Sequence, residues 1–264
     1  MGEYIKSDEV NSKSMNSSFL TKSVGGAAGA FVDVCLSPYL YPVYHKEDTI
    51  VVIIDILRAT SAICTAFHYG VEKIIPVATL EEAAEYKKKG FLVGAERNGI
   101  AIEGFDFGNS PFSYTTGRIK GQTIVISTTN GTQAIEAARS AYKVVIGAFT
   151  NITALCNWLK EQNRNVLLLC SGWKNRFNLE DTLFAGAVTD ILLKERNYKS
   201  GDAALTASYL YQSAQNNPYR YLRHSSHTER LAAMGLKKDI KYCFTLDQTT
   251  VIPVLENKYL VKMA

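Results

Sequence analysis

The sequence predicts a layered α/β/α fold on a largely parallel or mixed sheet, with duplicated βαβ units. Three observations predict it. Short, continuous apolar runs alternate with helix-patterned segments, as expected for strands buried on both faces. Polar loops follow those runs, at the strand ends where open α/β sheets bind ligands. A 72-residue offset lays IDILRATSAICTA (54–66) on ISTTNGTQAIEAA (126–138), matching Ile54/Ile126, Thr60/Thr132, Ala62/Ala134, Ile63/Ile135 and Ala66/Ala138. Shared βαβ patterning alone accounts for such a match about as well as duplication does.

The elements follow in order. FVDVCLSPYLYP (31–42) reads as a strand and a proline-bounded loop, IVVIID (50–55) as a buried strand, and 59–69 as a helix. KIIPVA (73–78) is a strand. TLEEAAEYKKKG (79–90) is a helix with a Thr79/Glu82 capping box, closed by Gly90. FLVGAE (91–96) is a strand before a long loop (97–121). TIVIST (123–128) leads to a helix over 132–139, and KVVIGA (143–148) to a helix that Asn151 would cap. NVLLLC (165–170) is a strand, and a helix spans 179–196. The aromatic-rich 207–224 reads either as a helix packed on the core or as an interface for a homo-oligomer. Residues 1–30 are rich in Ser, Asn, Lys and Gly and carry no apolar signal-peptide core. They read as a flexible tail before a folded region, 31–264, of one body or two lobes.

Composition narrows the class. The chain of 264 residues is 47% hydrophobic and 20% charged, as in soluble domains, and its net charge is only +4. No basic run beyond Lys87–Lys89 exists, which argues against nucleic acid as a partner. No apolar stretch is long enough to span a membrane. Five cysteines without CxxC spacing point to a reducing cytoplasm rather than to disulfides or zinc.

Four loops carry chemistry. In VVIIDILRATSAI (51–63), Asp55 ends a strand and can bind a hard cation such as Mg²⁺. Arg58 offers a planar fork to phosphate or sulfonate oxygens, and the helix after it offers free N–H groups. The structural alternative is an Asp55–Arg58 ion pair across the turn. STTNGT (127–132), with Thr129, Asn130, Gly131 and Thr132, forms either an N–H nest for an anion or an ordinary helix cap. GAERNGIAIEGFDFGNSP (94–111) brings Glu96, a second strand-end acid, with Arg97, Asn98, Asn109 and Ser110 among closely spaced glycines. In CSGWKNRFNLEDTLFAGA (170–187), Glu180 and Asp181 open a helix, where acids complement its dipole. There Cys170 and Arg176 have the C-x₅-R spacing of cysteine-dependent phosphatases, although Trp173 and Lys174 replace the expected glycine-rich cradle. Leu57 stands where haloacid-dehalogenase-type phosphatases need a second aspartate, and Arg223-His224 lacks the glycine of histidine phosphatases. His227 is a candidate acid/base.

Together, VVIIDILRATSAI, GAERNGIAIEGFDFGNSP, TTNGTQAI and FNLEDTLFAGA resemble the motifs of the 2-phosphosulfolactate phosphatases, the ComB family, with SHTERLAAMGLKKDIKYC (226–243) resembling its closing segment more loosely. The resemblance implies a Mg²⁺-dependent phosphatase that releases sulfolactate, a step of coenzyme M biosynthesis, on an α/β fold. The tail has no counterpart in that pattern, and bulky Trp173 departs from it. On this basis Asp55, with Glu96 or Asp181, is expected to hold Mg²⁺, and a remaining carboxylate to act as general acid. Arg58, Thr60, Arg97, Asn98, Asn109, Ser110, Thr129, Asn130, Gly131, Thr132 and Glu180 are expected to line the site of a small phosphorylated or sulfonated acid. The rivals are a covalent intermediate on Asp55 or Cys170, and a non-catalytic binder of such acids.

Overall fold

A computed structural model describes residues 29–195 and 197–263. All but the last two residues of the expected tail lie outside the described residues. The strands are β1 (Ala30–Cys35), β2 (Ile50–Ile54), β3 (Lys73–Pro76), β4 (Leu92–Arg97), β5 (Ile100–Ala101), β6 (Thr123–Ser127), β7 (Lys143–Gly147), β8 (Val166–Cys170), β9 (Tyr198–Ser200), β10 (Pro253–Glu256) and β11 (Tyr259–Lys262). The helices are α1 (Tyr41–Tyr44), α2 (Ala59–His68), α3 (Leu80–Lys88), α4 (Gly131–Ala137), α5 (Ile152–Gln162), α6 (Leu179–Leu193), α7 (Asp202–Ala214), α8 (Pro218–Tyr221), α9 (Ser226–Ala233) and α10 (Lys237–Cys243).

The sheet order is β5-β4-β6-β3-β11-β10-β7-β2-β8-β1-β9. β4, β6 and β3 form one parallel block, and β7, β2, β8, β1 and β9 form another. The C-terminal hairpin β10–β11 joins them through antiparallel pairings at β7 and at β3, so the two blocks run in opposite directions. The sequence reading of a mixed layered α/β fold is borne out.

The 72-residue offset superposes β2-α2-β3 on β6-α4-β7. Extended by one step, the units β2-α2-β3-α3-β4 and β6-α4-β7-α5-β8 have the same connectivity, and they exchange first strands. β2 lies between β7 and β8 of the other unit, while β6 lies between β3 and β4. Neither block is complete without a strand from the other repeat.

Packing follows from residue pattern. Every residue of β2 and β8 is buried, as continuous apolar strands require. In the smaller block the alternation of side chains separates two cores. Ile74, Ile124 and Ile126 face the main core, while Ile75, Val93 and Val125 pack with Ala83 of α3 on the other side. The Thr79/Glu82 capping box is present. Asn151, expected to cap α5, instead accepts from the Ala148 N–H and donates to the carbonyls of Ile146 and Val251. It ties the end of β7 to the segment that leads into the C-terminal hairpin. The helix expected over 179–196 ends at Leu193, and the one over 132–139 spans Gly131–Ala137.

The 207–224 stretch divides among α7, α8 and a 3₁₀ turn. α7 packs against α6 closely enough that a Cβ on Gly186 would lie 1.9 Å from the Ala207 carbonyl oxygen. The obstacle is backbone, which cannot swing aside as a side chain would. Gly186→Ala is therefore expected to destabilise the fold by about 1–3 kcal/mol. Urea unfolding should show a lower midpoint at unchanged slope; an unchanged midpoint would mean that the helices do not cross this tightly.

Candidate active site

Two loops from different repeats meet to make the site. β2 and β6 lie five positions apart in the sheet, yet the loops after them touch. A Cβ on Gly131 would fall 2.9 Å from Ala59 Cβ and 3.0 Å from Asp55 Oδ2. Glycine is required there because any side chain would fill the space beside the carboxylate. The loops thus share one crevice, lined by Asp55, Leu57, Arg58, Glu96, Gly99, Asn109, Asn130, Trp173 and His227.

The β2–α2 turn is held by its own hydroxyls. Thr60 Oγ1 donates to the Asp55 carbonyl and accepts from the Asp55 N–H. Asp55 Oδ1 accepts from the Ala59 N–H at 3.3 Å, at the start of α2, and Oδ2 accepts no hydrogen bond from any described residue. Burial pushes the Asp55 carboxyl up to about 6, and the charge of Glu96 adds to the shift.

Glu96 is fastened to the opposite loop. Its Oε1 accepts from the N–H and hydroxyl of Thr129, at 2.7 and 2.9 Å, and its Oε2 from the Gly99 N–H at 2.6 Å. Thr129 therefore acts as a holder of Glu96, while Asn130, the next residue, lines the crevice.

Asp181, expected beside a metal, stands behind the crevice instead. It is fully buried and accepts from Ile56 N–H, Gly172 N–H and the Asn178 amide. It fixes the turn that presents Asp55. Burial raises its carboxyl well above the ordinary range, with the charges of Asp55 and Glu180 adding to the effect.

Arg58 does line the crevice, but its ion pair is not with Asp55. Its Nη1 reaches Asp239 Oδ2 of α10 at 2.5 Å and its Nη2 donates to the Gly99 carbonyl. This leaves three of its five N–H groups for a ligand. Arg97 points elsewhere, donating to the Glu96 carbonyl and to Ser127 Oγ. Asn98 is exposed at φ 55°, Ser110 precedes a 3₁₀ turn, and Thr132 bonds within its own loop to Thr128. None of these four lines the crevice.

Glu180 is 1% exposed and meets His227, with 2.5 Å between Oε1 and Nδ1. Its role is to orient that imidazole, whose ring also packs on Trp173 with 5.7 Å between centroids. His227 and Asp239 come from the C-terminal helices, more than 40 residues beyond the loops they join. The sequence offered His227 as a candidate acid/base, whereas Asp239 was marked only by the loosely matching closing motif. Cys170 is fully buried, and burial with the nearby Asp181 charge raises its thiol well above its ordinary range. It has neither the exposure nor the acidity of a nucleophile.

Two carboxylates, an arginine, two amide side chains and a carboxylate-oriented histidine share one crevice of an α/β enzyme. The chain belongs to the 2-phosphosulpholactate phosphatase family, whose model matches residues 35–258. It is 43% identical over 226 residues to a probable 2-phosphosulfolactate phosphatase of Thermotoga petrophila, covering 86% of this chain and 96% of that protein. Similarly named proteins of Clostridium novyi and Caldanaerobacter subterraneus subsp. tengcongensis are 40% and 38% identical. Those matches cover 79% and 78% of this chain, and 91% and 88% of the relatives.

Proposed function

We propose that this chain hydrolyses 2-phosphosulfolactate to sulfolactate and inorganic phosphate. The observation that carries this reading is the crevice where the two repeats meet, with Asp55 and Glu96 facing Arg58, Asn109, Asn130 and His227. In the reaction a water oxygen bonds to phosphorus as the bond from phosphorus to the C2 oxygen breaks. Arg58 and the two asparagine amides stabilise the charge on the equatorial oxygens. With Glu180 holding Nδ1, the Nε2 of His227 gives its proton to the leaving alkoxide. This replaces the carboxylate general acid expected from the sequence.

The donor set fits Mg²⁺. Asp55 Oδ2 takes no hydrogen bond from a described residue, and the mutual repulsion of Asp55 and Glu96 is what a cation between them would relieve. Among the described residues no group of three His, Cys, Asp or Glu side chains is arranged to hold a metal. Asp55 and Glu96 would hold the ion, leaving its other positions to water and phosphate oxygens, as Mg²⁺ commonly has them. When bound it would polarise the phosphoryl group and acidify a water.

Phosphate release from 2-phosphosulfolactate by the purified protein, with Mg²⁺ and with EDTA, tests the reading. Turnover lost in EDTA and restored by Mg²⁺ is expected. No turnover of this ester or of a phosphomonoester panel would favour a binder. Cys170→Ala is expected to keep full turnover; its inactivation in a folded variant would revive the thiol route. All five cysteines are free and buried, which supports a cytoplasmic setting. Among the described residues no helix is long and apolar enough to cross a membrane. Sulfolactate made here would supply coenzyme M biosynthesis, as the family resemblance implies.

A further inference from the structure

The crevice above Asp55 encloses only about 20 Å³, room for about one water. The body of a substrate must extend out of it. A second cavity of about 340 Å³ adjoins it, sharing Trp173 and His227 as common walls. Arg230 stands in this second cavity, one turn along α9 from His227.

Arg230 is unusual in what it lacks. Its guanidinium carbon sits over the Trp173 ring, 4.0 Å from the centroid. Its Nε and Nη2 are shut off from solvent and have no hydrogen-bond partner among the described residues. No salt bridge ties it to Glu180 or Glu96; burial lowers its affinity for a proton, and the charges of those two carboxylates offset only part of that. Buried donors are nearly always satisfied, so a positioned guanidinium with two orphaned nitrogens implies an acceptor that arrives with a ligand. The Trp173 ring face holds the cation beside the cavity. The other arginine of the cavity, Arg176, is exposed at its mouth.

Resting on the phosphatase reading above, we infer that Arg230 is the specificity-determining residue that binds the sulfonate group of the substrate, in the cavity beside the phosphoryl crevice. The ring of Trp173, shared by both cavities, is the platform of this subsite. His227 then stands between the two anionic ends, next to the ester oxygen that receives its proton.

The test compares 2-phosphosulfolactate with 2-phospholactate, which has hydrogen in place of the sulfonate. Arg230→Gln is expected to lower the ratio of kcat/KM for the sulfonated over the plain ester by about 10- to 100-fold, chiefly through KM. Arg230→Lys, which keeps the charge and loses the fork, should fall between. Calorimetric titration with 3-sulfolactate, on variants with a wild-type circular dichroism spectrum, should show the same order of affinities. Equal losses on both esters, or unchanged sulfolactate affinity in Arg230→Gln, would overturn the subsite. A wild-type protein that hydrolyses neither ester yet loses sulfolactate affinity in Arg230→Gln would refute the phosphatase reading and leave the subsite standing.

Discussion

His227→Gln is expected to lower the turnover of 2-phosphosulfolactate by about 10²–10⁴-fold, the usual range for loss of a general acid. The imidazole is unlike the other three histidines in lining the crevice, and it is held from two sides. Glu180 fixes Nδ1 from α6 and Trp173 bounds the ring, so its free nitrogen has one place to act. Glutamine keeps hydrogen-bonding capacity but cannot donate a proton at neutral pH. The loss should depend on the leaving group. A nitrophenyl phosphate, whose phenolate departs without protonation, should lose much less than the alkyl ester. Equal losses on the two esters would assign His227 a structural role alone.

Asp55→Asn is expected to move activity and stability in opposite directions. Turnover should fall by about 10²–10³-fold, because the carboxylate in contact with both loops is gone. Stability should rise in metal-free buffer above pH 6. The sign follows from the folded value of about 6 against an ordinary 3.8. Below that ordinary value the carboxyl is protonated in both states and contributes nothing. Between the two values the unfolded chain releases its proton while the folded protein keeps it, so stability falls as pH rises. Above pH 6 the penalty is complete, at up to about 3 kcal/mol for a shift of this size. Asparagine removes it, so the variant should melt several degrees above wild type at pH 8 in EDTA and alongside it near pH 4. Equal melting temperatures at pH 8 would mean that the charge at Asp55 is already neutralised by protein groups.

Much of the fold was legible because it is written in local pattern. Buried strands are continuous apolar runs, the start of α3 carries its capping box, and the 72-residue echo announced two similar βα turns. What pattern could not supply was the exchange of strands between the repeats, since β2 and β7 are as apolar as any other candidate partners. The bridging hairpin was missed as well, because PVLENKYLVK is short, mixed in polarity and far from the strands it joins. In the site, Asp55, Arg58, Glu96, Asn109 and Asn130 were identified as strand-end or loop residues and all line the crevice. Arg97 and Asp181 were chosen by the same logic and face elsewhere, because residue type at a strand end or helix start does not give direction. Asp239 went unseen for the complementary reason. A lone acid within KKDIKYC has no local mark of burial, and its importance comes only from Arg58 arriving from 181 positions away.

At the centre of this account is a water that attacks phosphorus directly, in a crevice where Asp55 holds charge and His227 supplies the proton. Hydrolysis of the phosphorothioate analogue, made chiral at phosphorus with ¹⁸O, in ¹⁷O-labelled water, followed by the configuration of the released thiophosphate, addresses it most directly. A single in-line attack by water predicts inversion at phosphorus. Retention would mean two displacements through a covalent intermediate such as phosphoaspartate at Asp55, and would contradict the account.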